Sequence, residues 1–252
     1  MAWILDLDGV VWLGEEPIAG AGAAVARLRS AGERIAFVTN NSYVPAAEVA
    51  AKLVRHGIDP GDDVVTSAMA AAQLVEPGEK VLVCGGPGVR AEVEARGATV
   101  VDHGPADVVM VGLHRDFDYD AMERASTAVR GGARLVGTND DATYPTPAGP
   151  VPGGGAILAA IATASGQVPI VAGKPYPPMV DLVVRRMGPR GVAVGDRPDT
   201  DGRFAYALGY RFGLVFSGVT AATDMPVVPT PHLVAHDLST MVDAVLGEGR
   251  SG

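Results

Sequence analysis

Short apolar runs rich in β-branched residues alternate along this chain with longer, alanine-rich amphipathic stretches, and few architectures accommodate that alternation. Ala2–Leu5, Ile35–Thr39 and Val64–Thr66 read as strands, with Gly20–Ala31, Pro45–His56 and Ser67–Val75 as the helices between and after them. Pro45 suits the first turn of its helix, and Ser67 suits an N-cap. The scheme recurs toward the C-terminus, with strands at Ile170–Ala172, Val192–Val194 and Leu214–Phe216 and helices at Pro177–Met187 and Thr200–Leu208. Strands that are apolar along their whole length have no face to show to water. They predict an α/β fold built on a doubly wound parallel sheet with helices on both sides.

The middle of the chain restarts the pattern. After the polar break Glu76-Pro-Gly-Glu-Lys80, strands are expected at Val81–Cys84, Thr99–Val101, Val108–Gly112 and Leu135–Thr138, with helices at Val89–Ala95, Tyr119–Val129 and Gly155–Ala164. A second α/β domain is therefore expected as an insertion bounded by breaks near 77–80 and 167–173. The division is 1–78, 79–171 and 172–252. A chain of 252 residues can bury a core in each part. The formal charge of −9, without a basic run, argues against nucleic acid or an anionic membrane as partner. No apolar run approaches the roughly 20 residues that span a bilayer, and acids at positions 6 and 8 interrupt any signal-like start, so a cytoplasmic protein is expected.

Ligands of open parallel sheets bind at the carboxyl ends of the strands, and four polar clusters stand there. Asp6-Leu7-Asp8-Gly9 places two carboxylates two residues apart, where they point the same way and need a cation or a shared proton, although Asp also commonly ends strands. Thr39-Asn40-Asn41-Ser42 offers hydroxyl and amide donors suited to an anionic oxygen, or alternatively a turn leading into a helix cap. Gly173-Lys174-Pro175 carries one of only three lysines among 20 basic residues. A compact ammonium there suits a carboxylate or phosphate, or else is an exposed loop lysine. In Gly195-Asp196-Arg197-Pro198-Asp199-Thr200-Asp201, the acids are hard oxygen ligands with Asp196 nearest the sheet, and Asp199 or Thr200 also fits as an N-cap. With a single cysteine, Cys84, and no paired histidine, these ligands point to Mg²⁺ rather than zinc. An open metal position beside a lysine and hydroxyl donors suits a phosphate group.

In this order and spacing, D-x-D-G, T-N-N-S, G-K-P and G-D-R-x-D-T-D resemble the haloacid dehalogenase superfamily of phosphatases, and within it the NagD-like, 4-nitrophenylphosphatase subfamily. The resemblance extends over nearly the whole chain, including Thr66-Ser-Ala-Met-Ala, Gly131-Gly-Ala-Arg-Leu and Ser217-Gly-Val-Thr. It implies a Rossmann-like core with an inserted α/β cap, and a Mg²⁺-dependent phosphomonoester hydrolase acting through an aspartyl-phosphate. The substrate would be small: a glycerol phosphate, phosphoglycolate, a sugar phosphate or a nucleotide monophosphate. By the same resemblance Asp6 is the nucleophile, and Asp8 is the acid and base. Thr39 and Asn40 hold the phosphoryl oxygens, and Lys174 neutralises them. Asp6, the Asp8 main-chain carbonyl and Asp196 bind Mg²⁺, with Asp201 in support. Homodimerisation through the cap is a further expectation from the family. The loop Thr138–Pro145 is expected to face the substrate, with Asn139 and Tyr144 as its specificity residues, or else to be an ordinary strand-to-helix loop.

Two positions depart from the subfamily pattern: Gly202 stands where Ile is usual, and His114 where an acid is usual. Gly202 predicts a less firmly started helix, and both bear on specificity rather than reaction class. Two other classes compete. A phosphoacceptor signalling module uses a similar acid, Thr and Lys set, but length, insertion and Asp8 all disfavour it. A dinucleotide-binding protein is suggested by Gly86-x-Gly88-x-x-Ala91 after a strand, with Asp102 ending the next strand, although that spacing is short.

Overall fold

A computed structural model describes residues 1–146 and 149–248. Positions 147–148, inside the expected insertion, and 249–252, closing the last expected segment, lie outside the described residues. The first part comprises β1 (Ala2–Leu5), β2 (Trp12–Leu13), β3 (Glu16–Pro17), α1 (Ala21–Ser30), β4 (Arg34–Thr39), α2 (Ala46–Arg55), β5 (Val64–Thr66) and α3 (Ser67–Ala72). There follow β6 (Lys80–Cys84), α4 (Pro87–Ala95), β7 (Thr99–Val101), β8 (Val108–Val111), α5 (Tyr119–Arg130), β9 (Arg134–Gly137), β10 (Thr143–Thr146), β11 (Gly149–Pro152), α6 (Gly154–Ser165) and β12 (Ile170–Val171). The last part holds α7 (Pro177–Met187), β13 (Gly191–Gly195), α8 (Arg203–Leu208), β14 (Arg211–Val215), β15 (Leu233–Ala235) and α9 (Leu238–Glu248).

Two parallel sheets result. The first has six strands in the order β15-β14-β13-β1-β4-β5, and the second has five in the order β12-β9-β8-β6-β7. In the first sheet β1 lies between β13 and β4, in register with both. Winding reverses there, which opens a crevice at the carboxyl end of β1.

Side-chain alternation assigns each strand's residues to two faces. Trp3, Leu5, Ile35, Phe37, Val192 and Val194 form one apolar cluster with Leu28 of α1, Leu53 of α2 and Met241 of α9. Ile4, Ala36, Val38 and Ala193 face the other way, against Ala68 and Ala71 of α3 and Met179 and Val183 of α7. That second cluster continues through Val89 and Val93 of α4 to Val81, Val108, Met110 and Val136 of the other sheet. A third cluster, under α5 and α6, covers the outer face of the second sheet.

Several expectations are corrected. The strand at Ile170 does not join the first sheet: β12 pairs with β9 and closes an edge of the second. Thr66, not Ser67, caps α3, its Oγ1 accepting the Met69 N–H, because Ser67 is already helical and donates to the Asn40 carbonyl, 2.7 Å away. Pro45 is the extended residue before α2 rather than part of its first turn. Neither Asp199 nor Thr200 caps a helix. Residues 198–202 form a π-helical turn that Arg197 precedes without a side-chain cap, and α8 follows at Arg203. Gly202 is glycine for packing reasons, since an added Cβ would meet Phe212 at 2.8 Å and Pro229 at 2.9 Å. β11 leads straight into α6 through the single residue Gly153.

Candidate active site

Each sheet aims its carboxyl ends at the same cavity of about 70 Å³, room for roughly five water-sized groups. From the first sheet, Asp6 and Asp8 follow β1, Thr39 ends β4 and Asp196 follows β13. Asp6 is fixed by continuing the ladder, its N–H donating to the Val194 carbonyl at 2.9 Å. Gly9, with φ +83°, then turns the chain so that its Cα faces the Asp196 carboxylate and Gly218, where no Cβ fits. The second sheet contributes Leu113 after β8 and Asn139 and Asp141 after β9. Lys174 follows β12, so the lysine enters from the second sheet.

The Lys174 ammonium, 3% exposed, bridges Asp6 Oδ1 and Asp201 Oδ1 at 2.7 Å each. Those two carboxylates hold its pKa above the usual lysine value although burial alone would lower it. Asp201 also accepts the Arg197 N–H at 3.1 Å, and Asp196 accepts the Val219 N–H at 2.6 Å. Carboxylate oxygens of Asp6, Asp196 and Asp201 all lie within 4.8 Å of one another. One ammonium among three buried carboxylates leaves negative charge uncompensated. Burial and the Asp201 charge accordingly push the Asp196 carboxyl up to about 7. Burial, with Asp201 and Asp196, raises Asp6 against the pull of Lys174. A buried all-oxygen cluster short of positive charge fits a hard divalent cation.

Asp8 lines the same cavity. Burial raises its pKa, while Lys52 and a hydrogen bond from Trp12 Nε1 at 3.2 Å work in the other direction. Tyr144, on the β10–β11 ribbon, stands over Asp8, and burial together with that carboxylate raises the phenol well above its usual range.

Asn40 and Asn139 bind the two sheets to each other. The Asn40 amide donates to Asp141 Oδ2 at 2.9 Å and to the Lys174 carbonyl at 3.1 Å, and its Oδ1 accepts the Lys174 N–H at 2.8 Å. Both amide donors are thus engaged, and with the Asn40 carbonyl already accepting from Ser67 and Asn139 its main-chain N–H is what it can turn toward a ligand. Asn139 donates to the Asn40 carbonyl at 2.8 Å and accepts the Asp141 N–H at 3.1 Å. Ser42 and Thr138 hydroxyls meet across the same seam at 2.9 Å.

Asp141 belongs to the site although the sequence does not single it out. Its carboxylate takes hydrogen bonds from Asn40 and from Thr200 Oγ1 at 3.4 Å, and burial raises its pKa. The Asn-Asp-Asp run marks the loop, but chain order does not say which acid turns inward; Asp140 instead receives the Tyr176 hydroxyl. His114 does not face the cavity. It lies 3.7 Å from the Cys84 sulfur, whose thiol burial pushes up to about 12, while its neighbour Leu113 lines the site. The glycines of the dinucleotide-like motif have another use: Cβ atoms at Gly86 and Gly88 would strike Tyr43 and the carbonyls of Ser42 and Val44. They let the start of α4 lie against the first sheet's loop, which leaves no space there for a pyrophosphate.

Residues 3–99 match the haloacid dehalogenase-like hydrolase family, and residues 171–241 match a second grouping of HAD-like hydrolases. The D-glycerol 3-phosphate phosphatase of Mycobacterium tuberculosis is 39% identical over 249 residues, covering 94% of this chain and 70% of that protein. The acid sugar phosphatase of Staphylococcus saprophyticus is 37% identical, covering 79% of this chain and 80% of that protein. The solved p-nitrophenyl phosphatase from Archaeoglobus fulgidus superposes with a TM-score of 0.91 at 30% identity, covering 96% of this chain and 98% of that one. The M. tuberculosis glycerol phosphate phosphatase, solved in complex with magnesium, gives 0.87 at 38% identity, covering 95% and 75%. No described helix is long and apolar enough to cross a membrane. Neither a signalling module nor a dinucleotide-binding protein accounts for these matches: the chain belongs to the haloacid dehalogenase-like hydrolases, as a phosphatase of the NagD-like, 4-nitrophenylphosphatase subfamily.

Proposed function

We propose that the chain is a Mg²⁺-dependent phosphomonoesterase that hydrolyses a small phosphorylated metabolite through an aspartyl-phosphate on Asp6. The observation carrying this reading is the buried Lys174 ammonium bridging Asp6 and Asp201 in a cavity with room for little more than a phosphoryl group.

The Asp6 carboxylate attacks phosphorus, the ester P–O bond breaks, and Asp8 gives its proton to the departing alcohol oxygen. Asp8, now ionised, takes a proton from water as that water attacks the acyl phosphate, which releases inorganic phosphate and restores both acids. Burial raises the Asp8 pKa, which favours the protonated carboxyl that the first of these steps uses. The Thr39 hydroxyl and the Asn40 main chain hold the phosphoryl oxygens, and Lys174 offsets their charge. The Asp6 and Asp196 carboxylates and the Asp8 main-chain carbonyl would hold Mg²⁺, with Asp201 in support. The ion supplies neutralisation as a dianion approaches carboxylates.

In this reading residues 79–171 are the cap over a core formed by 1–78 and 172–252, with Asn139 positioning the seam and Tyr144 facing the alcohol. Glycerol phosphates, sugar phosphates and nucleotides, the substrates named for relatives, are the first to test. Phosphate release from 4-nitrophenyl phosphate should require Mg²⁺, stop with EDTA, and fall about 10⁴-fold or more in Asp6→Asn. Activity that persists in Asp6→Asn removes Asp6 as nucleophile.

A further inference from the structure

A second cavity, of about 180 Å³, opens beside the first and shares Asp8, Thr39, Asn41, Leu113 and Tyr144 with it. It is more than twice the size of the phosphoryl cavity. In-line displacement puts the departing oxygen opposite Asp6, and a general acid must reach that oxygen. Asp8 borders both spaces, so the alcohol leaves into the second.

The charges around this cavity are unequally committed. On one wall the Lys52 ammonium lies 4.4 Å from the Trp12 ring centroid and donates to the Gly14 carbonyl at 2.5 Å and to Glu15 at 3.2 Å. It is spent on the β2–β3 turn. Glu48 and Arg55, two turns apart on α2, bring one charge of each sign to the same cavity. From the second sheet's β8–α5 loop, Arg115 places its guanidinium over the Tyr43 ring, 4.8 Å from the centroid. Among the described residues Arg115 has neither a hydrogen bond nor a carboxylate partner. The ring contact engages one side of a five-donor fork whose N–H groups have no hydrogen-bond partner among the described residues. Such a fork matches a carboxylate bidentately.

We propose that this second cavity receives the leaving group, and that Arg115, held against the Tyr43 ring, selects phosphomonoesters whose alcohol carries a carboxylate. The inference rests on the phosphatase reading and adds a substrate class to it. A volume of about 180 Å³ limits that alcohol to a few carbons, and the Trp12 and Tyr144 side chains line the cavity beside its carbon chain.

The test uses 3-phosphoglycerate and glycerol 3-phosphate, which differ by a carboxylate in place of a hydroxymethyl group. Their kcat/KM values are compared in the full chain and in Arg115→Gln and Arg115→Lys, with 4-nitrophenyl phosphate as a control for the chemistry. The wild-type chain should prefer 3-phosphoglycerate by about tenfold or more. Arg115→Gln should lower that preference about 10- to 100-fold through KM, and Arg115→Lys should restore part of it. Arg115 is exposed, so its replacement leaves the fold intact. Preference for glycerol 3-phosphate, or a ratio within about twofold of wild type in Arg115→Gln, overturns the inference while hydrolysis of 4-nitrophenyl phosphate leaves the phosphatase reading standing. A wild-type chain that hydrolyses none of the three overturns both.

Discussion

At the carboxyl edge of the first sheet stand carboxylates and a hydroxyl: Asp6, Asp8, Asp196 and Thr39. At that of the second stand Leu113, Asn139, a single carboxylate, Asp141, and Lys174. Both are all-parallel sheets with helices on either side, yet one concentrates negative charge and the other supplies the cation and close backbone contact. The seam can be tight because Gly86, Gly88, Gly112 and Gly173 all lie where a Cβ would collide with the facing loop or side chains. Chemistry at this site is therefore a property of the junction, and neither sheet carries it alone.

Changes aimed at either side should break that division of labour unequally. Lys174→Met removes the ammonium that bridges Asp6 and Asp201 in the buried triad. Leaving Asp6 and Asp201 uncompensated should cost about 3–5 kcal/mol and abolish turnover, read by chemical denaturation and by phosphate release. Metal removal probes the first sheet. Asp196, raised from 3.8 to about 7, binds more protons folded than unfolded between those values. Apo stability from this group is therefore present at low pH and lost as pH rises from about 4 to 7, by up to about 4 kcal/mol. Melting temperatures in EDTA should fall across that window, and added Mg²⁺ should cancel the fall; a flat EDTA profile would contradict it. Gly88→Ala tests the seam: its Cβ must displace the Val44 and Ser42 carbonyls. About 1–3 kcal/mol of stability should be lost, with kcat reduced because Lys174 and Asn40 are positioned across the same seam. The smallest effect belongs away from the site: Thr66→Ala deletes the α3 cap, costing about 1 kcal/mol and leaving kcat/KM unchanged.

The strand-end clusters are legible in the sequence because carboxylates, amides and a lysine directly after β-branched runs fall where an open parallel sheet binds ligands, and buried charge is too costly to gather there without use. Which sheet delivers each group is less so. β12 is two residues long, and nothing in Ile-Val says whether it pairs with β9 or β13. The β10–β11 ribbon resembles a loop in sequence because Pro145, Pro150 and Pro152 cannot serve a sheet interior; as a two-stranded ribbon it needs no ladder beyond its own. β15 and α9 give little sequence signal, since Leu233–Ala235 is short and preceded by the proline-rich stretch from Pro226 to Pro231. Asp8 and Asp196 can be named from spacing, whereas Asp141 depends on a loop conformation that Asn139 fixes through space.

The central place of β1 has a kinetic consequence. Its partner β13 pairs Gly191 with Ala2, so the first sheet closes only after nearly the whole chain is present. The second sheet draws all its strands from Lys80 to Val171. Its contacts are nearer in sequence and cost less loop-closure entropy. During synthesis the second sheet can organise while β1, β4 and β5 still wait for β13, so the region that carries Asn139 and Asp141 can take shape before the sheet that carries Asp6 is complete.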